Sequence, residues 1–196
     1  MSRVFDIITL MENKSLKIKL ALILSYIFTL KYRLFYGDRV LFGKNFITNW
    51  RLKIKGPGKV VFGDNVRAWA HKEPNTFQTF DSSATISIGN NCKLNGIGCQ
   101  AKKRITIGNN CIVGSALLVD TDFHSTDPDR MTNLKATIKS KEISVADNVW
   151  VCGNTAILKG VTIGEGSIVG YGSIVRENVP EKVVVAGNPA QVIKKL

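Results

Sequence analysis

The chain has 196 residues, enough for one domain with a core of its own. Twenty-seven Lys and Arg against 15 Asp and Glu give a formal charge of +12. That charge favours phosphates or an acidic membrane surface as partners, and without a recognition motif it makes nucleic acid the weakest choice. Four cysteines form no CxxC pair and there are only two histidines, so a three-histidine zinc centre is excluded and no metal is expected.

In chain order, residues 1–37 read as helical. Residues 20–30, LALILSYIFTL, form an eleven-residue apolar run between Lys19 and Lys31. A membrane-spanning helix needs about 20 residues, so this segment is expected either to cap the protein's end or to lie on an anionic membrane through residues 1–36. No secretory signal is read here. The reduced cysteines, Cys92 and Cys111 stacked as small apolar fillers, fit a cytoplasmic protein, peripheral at most at the inner membrane face.

Residues 38–178 carry a period of six. Val145, Val151, Ile157, Ile163, Val169 and Val175 follow one another in sixes, as do Ile107, Val113 and Val119, and Ile88 and Leu94. Short strands that turn a corner every six residues build a parallel β-helix, three steps to a coil. A second ladder repeats in GKNF, GDNV, GNNC, GNNC and ADNV. It places Asn45, Asn65, Asn91, Asn110 and Asn148 at one corner, where asparagine tolerates left-handed backbone angles. In the GEG that follows, glycine takes that place. Two 26-residue steps, Phe62 to Ile88 and Val119 to Val145, exceed the eighteen of one coil. Inserted loops are therefore expected near 70–84 and 120–142, and long loops on a rigid scaffold often carry function. Residues 179–196 are read as a short C-terminal tail.

The second loop, opening DTDFHSTDPDR, holds His124 right after a hexad step. A histidine fixed there is placed for proton transfer near neutral pH, with Asp122, Asp127 or Asp129 as candidates to orient it. His71, in the first loop with Trp69 and Phe77, has no supporting pattern.

The hexads of 143–175, the DTDFHSTDPDR loop and the ending VAGNPAQVIKKL resemble the left-handed β-helix hexapeptide-repeat acyltransferases. The maltose, galactoside and polysaccharide O-acetyltransferase branch is the most similar. The resemblance is good over about 85–196 and looser over 38–84. It implies an all-β, left-handed parallel β-helix with an N-terminal helical segment, assembled as a homotrimer with sites between neighbouring subunits. It implies acetyl-CoA as donor and a sugar hydroxyl as acceptor, on a surface polysaccharide, lipid-linked or nucleotide-sugar precursor. His124 would be the general base for direct attack on the thioester, and Asn95, Asp122 and Trp150 would bind the acceptor. Gly153, Tyr171, Arg176, Lys194 and Lys195 would meet coenzyme A. Tyr171 stands where many relatives have alanine, Arg176-Glu177 replaces a common Thr-Lys pair, and Gln191 replaces a common arginine. Transfer to an amine of an amino sugar or antibiotic, and a non-catalytic scaffold, remain as alternative readings.

Overall fold

A computed structural model describes residues 15–133 and 136–196. Residues 1–14, which include the start of the segment expected to be helical, lie outside the described residues. Helix α1 spans Leu16–Tyr36, and a 3₁₀ turn over Gly37–Arg39 leads into the strands. Six coils follow, each visiting three sheets in turn. The first has β1 (Val40–Phe42), β2 (Ile47–Thr48) and β3 (Leu52–Lys55), and the second has β4 (Lys59–Phe62), β5 (Arg67–Ala68) and β6 (Asn75–Thr79). The third has β7 (Thr85–Ile88), β8 (Lys93–Leu94) and β9 (Gly98–Ala101), and the fourth β10 (Arg104–Ile107), β11 (Ile112–Val113) and β12 (Leu117–Val119). The fifth has β13 (Ile143–Val145), β14 (Trp150–Val151) and β15 (Ala156–Leu158), and the sixth β16 (Thr162–Ile163), β17 (Ile168–Val169) and β18 (Ile174–Val175).

All strands of a sheet pair in parallel with their counterparts one coil away, in orders β1-β4-β7-β10-β13-β16, β2-β5-β8-β11-β14-β17 and β3-β6-β9-β12-β15-β18. The expected left-handed parallel β-helix is borne out. Its core is a set of inward columns. On the first sheet Phe42, Phe62, Ile88, Ile107, Val145 and Ile163 stand in register. Phe62 is buried between Phe42, stacked at 5.4 Å, and Phe77, edge-on at 4.9 Å. Burying each such side chain contributes about 1.5–3 kcal/mol.

The asparagine corners behave as the sequence predicts. Asn45, Asn65, Asn91, Asn110 and Asn148 have φ between 55° and 60°, and Gly166 continues the column at 68°. Their side chains bond along the axis: Asn45 Nδ2 donates to Asn65 Oδ1 at 2.8 Å, Asn65 to Asn91 at 3.1 Å, and Asn91 to Asn110 at 3.2 Å. Cys92 and Cys111 stack inside as expected. Cys111 is pushed up by its contact with Cys92 and by burial, and burial alone raises Cys99, so these sulfurs stay protonated fillers.

Two details differ from the six-residue count. Val119 is not the inward residue of the fourth coil. Leu118 is fully buried and pairs with Cys99 and Ile157, because the corner after the second sheet takes five residues in coils three and four. In coils five and six the same corner takes six, with positive φ at Asn154 (54°) and Gly172 (73°). The first long step is also not one loop. Strand β6 runs through the middle of 70–84, pairing with β3 and β9, so the extra residues divide between two corners. The C-terminal segment is structured. β19 (Val183–Gly187) adds a parallel rung on β17, and β20 (Ala190–Lys195) folds back antiparallel against it.

Candidate active site

The second sheet presents an outward column in strict register: Ile47, Arg67, Lys93, Ile112, Trp150 and Ile168. At the corner beyond it lie Trp69, Asn95, Gly114, Cys152 and Gly153, with Tyr171 above. Together they line a groove of about 850 Å³ that runs from Ala21 of α1 to Tyr171. Four of the residues expected at a site, Asn95, Trp150, Gly153 and Tyr171, are therefore brought together on one face.

The groove's shape follows from small residues. A Cβ on Gly114 would sit 2.9 Å from the backbone nitrogen of Gly153, and one on Gly153 would touch the Tyr171 ring at 3.3 Å. Tyr171 is held by a hydrogen bond from the Asn154 side chain. Asn95 is not one of the left-handed corners; Gly96 next to it takes φ 79°. The Asn95 side-chain oxygen Oδ1 instead accepts the His71 N–H at 3.0 Å, which anchors the insertion carrying Trp69 and His71 over the groove. Cys152 also lines the groove, but burial raises its thiol, which disfavours a thiolate nucleophile.

His124 stands elsewhere, on the arm that leaves the third sheet after β12. The arm has a paired stem: Asp122 N–H donates to Lys139 O at 3.0 Å, Lys141 N–H to Asp120 O at 2.9 Å, and Thr121 bridges to Ser140. At its base the buried Asp120 carboxylate accepts the N–H groups of Lys102 and Lys103 at 2.6 and 2.7 Å. Burial raises the Asp120 pKa, opposed by those same N–H groups. Past the stem the chain bends sharply. Phe123 takes φ 59°, a region few aromatic residues occupy, with its ring edge-on to Phe80 at 5.0 Å. His124 N–H then donates to Asp122 O at 2.7 Å, and the exposed imidazole borders a second hollow of about 450 Å³ with Arg130 and Met131.

Of the three carboxylates that could orient His124, Asp122 is taken by Lys159, whose Nζ lies 2.6 Å from its Oδ1. That pair ties the arm to the end of β15. Arg176, after β18, faces Glu177 at 3.9 Å, and Lys194 and Lys195 lie on β20, opposite Val184 and Val183. These three lie outside the groove but at the last-coil end of the molecule, the end at which Tyr171 stands. Sequence reasoning missed Arg67, Lys93 and Lys159. The first two were legible as the outward partners of the hexad columns; Lys159 carried no signal. Among the described residues no group of three or more His, Cys, Asp or Glu is arranged to hold a metal ion.

Comparison with known proteins finds acetyltransferases similar to this chain in sequence and in fold. The chain is 27% identical over 165 residues to WbbJ of Escherichia coli, a protein named as a lipopolysaccharide biosynthesis O-acetyl transferase, covering 80% of this chain and 82% of that one. It is 32% identical over 135 residues to the galactoside O-acetyltransferase of the same organism, spanning 68% of this chain and 63% of the relative. Among solved structures, the polySia-specific acetyltransferase NeuO matches with a TM-score of 0.59 at 27% identity over 81% of this chain and 82% of that one. A Vibrio cholerae hexapeptide-repeat acetyltransferase complexed with acetyl coenzyme A matches in fold, with a TM-score of 0.60 at 22% identity over 94% and 92%. No protein-family model matches the chain. The resemblance read from the hexads and the loop thus holds for sequence relatives and for fold.

Proposed function

We propose that this protein is an acetyl-CoA-dependent O-acetyltransferase acting on a sugar hydroxyl of a surface-polysaccharide, lipid-linked or nucleotide-sugar precursor. The observation that carries the reading is the gathering of Asn95, Trp150, Gly153 and Tyr171 along one groove, in a chain whose sequence relatives include sugar O-acetyltransferases. In this reading acetyl-CoA lies along the last coils, its arm over Gly153 and Tyr171 and its phosphates toward Lys194, Lys195 and Arg176. The acceptor sits nearer α1, against Trp150, Asn95 and Trp69.

His124 acts as general base. It takes the proton of the acceptor hydroxyl as that oxygen attacks the thioester carbonyl. The carbon–sulfur bond breaks, the acetyl group stays on the sugar oxygen, and coenzyme A leaves as a thiolate that is then protonated. Because His124 and the groove lie on different faces of one chain, the site is completed between subunits: the arm of one copy brings His124 to the groove of the next in a homotrimer. Asp122, bound by Lys159, sets the arm's position rather than the imidazole's charge.

Arg67 and Lys93 point to an acceptor carrying an anionic group. They stand on neighbouring rungs of the groove, and neither is in any of the three ion pairs found among the described residues. The reaction is tested by thiol release from acetyl-CoA over a panel of hydroxyl and amine acceptors, with His124→Ala as control. Loss of general-base help should lower turnover about 10²–10⁴-fold. Activity within a few-fold of wild type would remove His124 from the mechanism, and acetylation of amines alone would move the protein to the N-acetyl class.

A further inference from the structure

Helix α1 is inverted relative to an ordinary surface helix. Its buried residues are the polar Ser25, Thr29 and Tyr32, which face the open edge of the first coil. Ser25 Oγ accepts the Thr48 N–H at 2.8 Å, and the Tyr32 hydroxyl accepts the Ile54 N–H at 3.2 Å and donates to Leu52 O at 2.9 Å. The apolar residues point the other way. Leu16, Leu20, Ile23, Ile27, Leu30 and Leu34 follow in steps of four, three, four, three and four, and their exposure runs from 38% to 81%. Phe35 adds to the stripe at 80%.

A stripe of that spacing fits either a partner helix or a lipid surface. The charges decide between them. The residues flanking the stripe include Lys17, Lys19 and Lys31, and no Asp or Glu occurs in 16–36. A second copy of α1 would bring lysine against lysine along the seam, which is destabilising. An anionic bilayer would accept the lysines at its headgroups and the stripe just below them. The helix is 21 residues long, about 31 Å laid flat, and no helix among the described residues is long and apolar enough to cross a membrane. We propose that α1 docks the protein on an anionic membrane face, lying in the plane of the surface with Leu20, Ile23, Ile27 and Leu30 inserted.

The test is flotation of the full-length protein with vesicles of phosphatidylglycerol in phosphatidylcholine, and of phosphatidylcholine alone. Wild type should float with the first and far less with the second, and release as salt is raised. Each lysine at such a surface is worth about fivefold in partitioning, so Lys17→Gln with Lys19→Gln should weaken it about 25-fold. Ile23→Ser with Ile27→Ser should abolish flotation while leaving the thermal melt unchanged, since both side chains are exposed. No flotation by wild type, or equal flotation on both vesicle types, would overturn the proposal. So would a lipid-free assembly that the isoleucine pair breaks into smaller species, which would assign the stripe to a second copy of the chain.

Discussion

Tyr32→Phe isolates what fastens α1 to the coil. The substitution keeps the ring, which is 4% exposed and packs 5.8 Å from Tyr36 and 6.5 Å from Phe42, and removes one oxygen. That oxygen serves two backbone groups at the open edge of β3, Leu52 O and Ile54 N–H. A buried backbone group deprived of its partner costs about 1–3 kcal/mol, so the expected loss for the two is about 2–6 kcal/mol. For a chain of this size each kcal/mol lowers Tm by about 2–4 °C, giving a drop of about 4–24 °C in a melt followed by circular dichroism. If α1 detaches before the coils melt, limited proteolysis will cut within 16–36 at temperatures where the coils survive. A Tyr32→Phe protein that melts within a degree of wild type and resists protease equally would show that the hydrogen bonds do not hold the helix.

Arg67→Ala and Lys93→Ala should each raise KM for an anionic acceptor about 10–100-fold, the worth of a charge-assisted hydrogen bond. KM for a neutral acceptor should stay unchanged; equal effects on both would remove the anion contact. Gly114→Ala should crowd the backbone of Gly153 at 2.9 Å, costing about 1–3 kcal/mol and raising KM for acetyl-CoA more than it lowers kcat. The Asp147 carboxylate accepts the Asn109 side-chain amide at 3.0 Å and its N–H at 2.8 Å, and these bonds hold its pKa below the usual 3.8. A depressed folded value means that its stabilisation is complete above the ordinary carboxylate range and is lost as pH falls through the folded value. Asp147→Asn should therefore flatten the fall in stability below about pH 4, measured by denaturant midpoints. An unchanged acid limb would refute the assignment.

Much of this molecule was legible because a β-helix writes its geometry into a short period. Each inward column repeats an aliphatic residue, and each left-handed corner repeats an asparagine, so both ladders could be followed back to Phe42 and Asn45. The count failed at Val119, where a corner of five residues replaced one of six, a change of corner length that no apolar pattern records. Trp150 and Gly153 stood at recognisable places in the hexads. Arg67 and Lys93 stood at outward places of the same columns, and the register of β5 and β8 sets them side by side. The inverted helix was hidden for a different reason. Its apolar run invites burial, and only the unfilled backbone groups of the first coil explain why serine and tyrosine face inward instead.

Those fastenings bear on a hazard common to all stacked strands. A solenoid ends in rows of unpaired N–H and C=O groups, a template on which another molecule of the same kind can add. Here the first coil is closed by side-chain hydroxyls from α1, and the second sheet is closed at the other end by β20, which runs antiparallel and cannot continue the coil. The six coils span about 29 Å at 4.8 Å per rung, and at these edges an added strand would meet backbone groups that are already engaged.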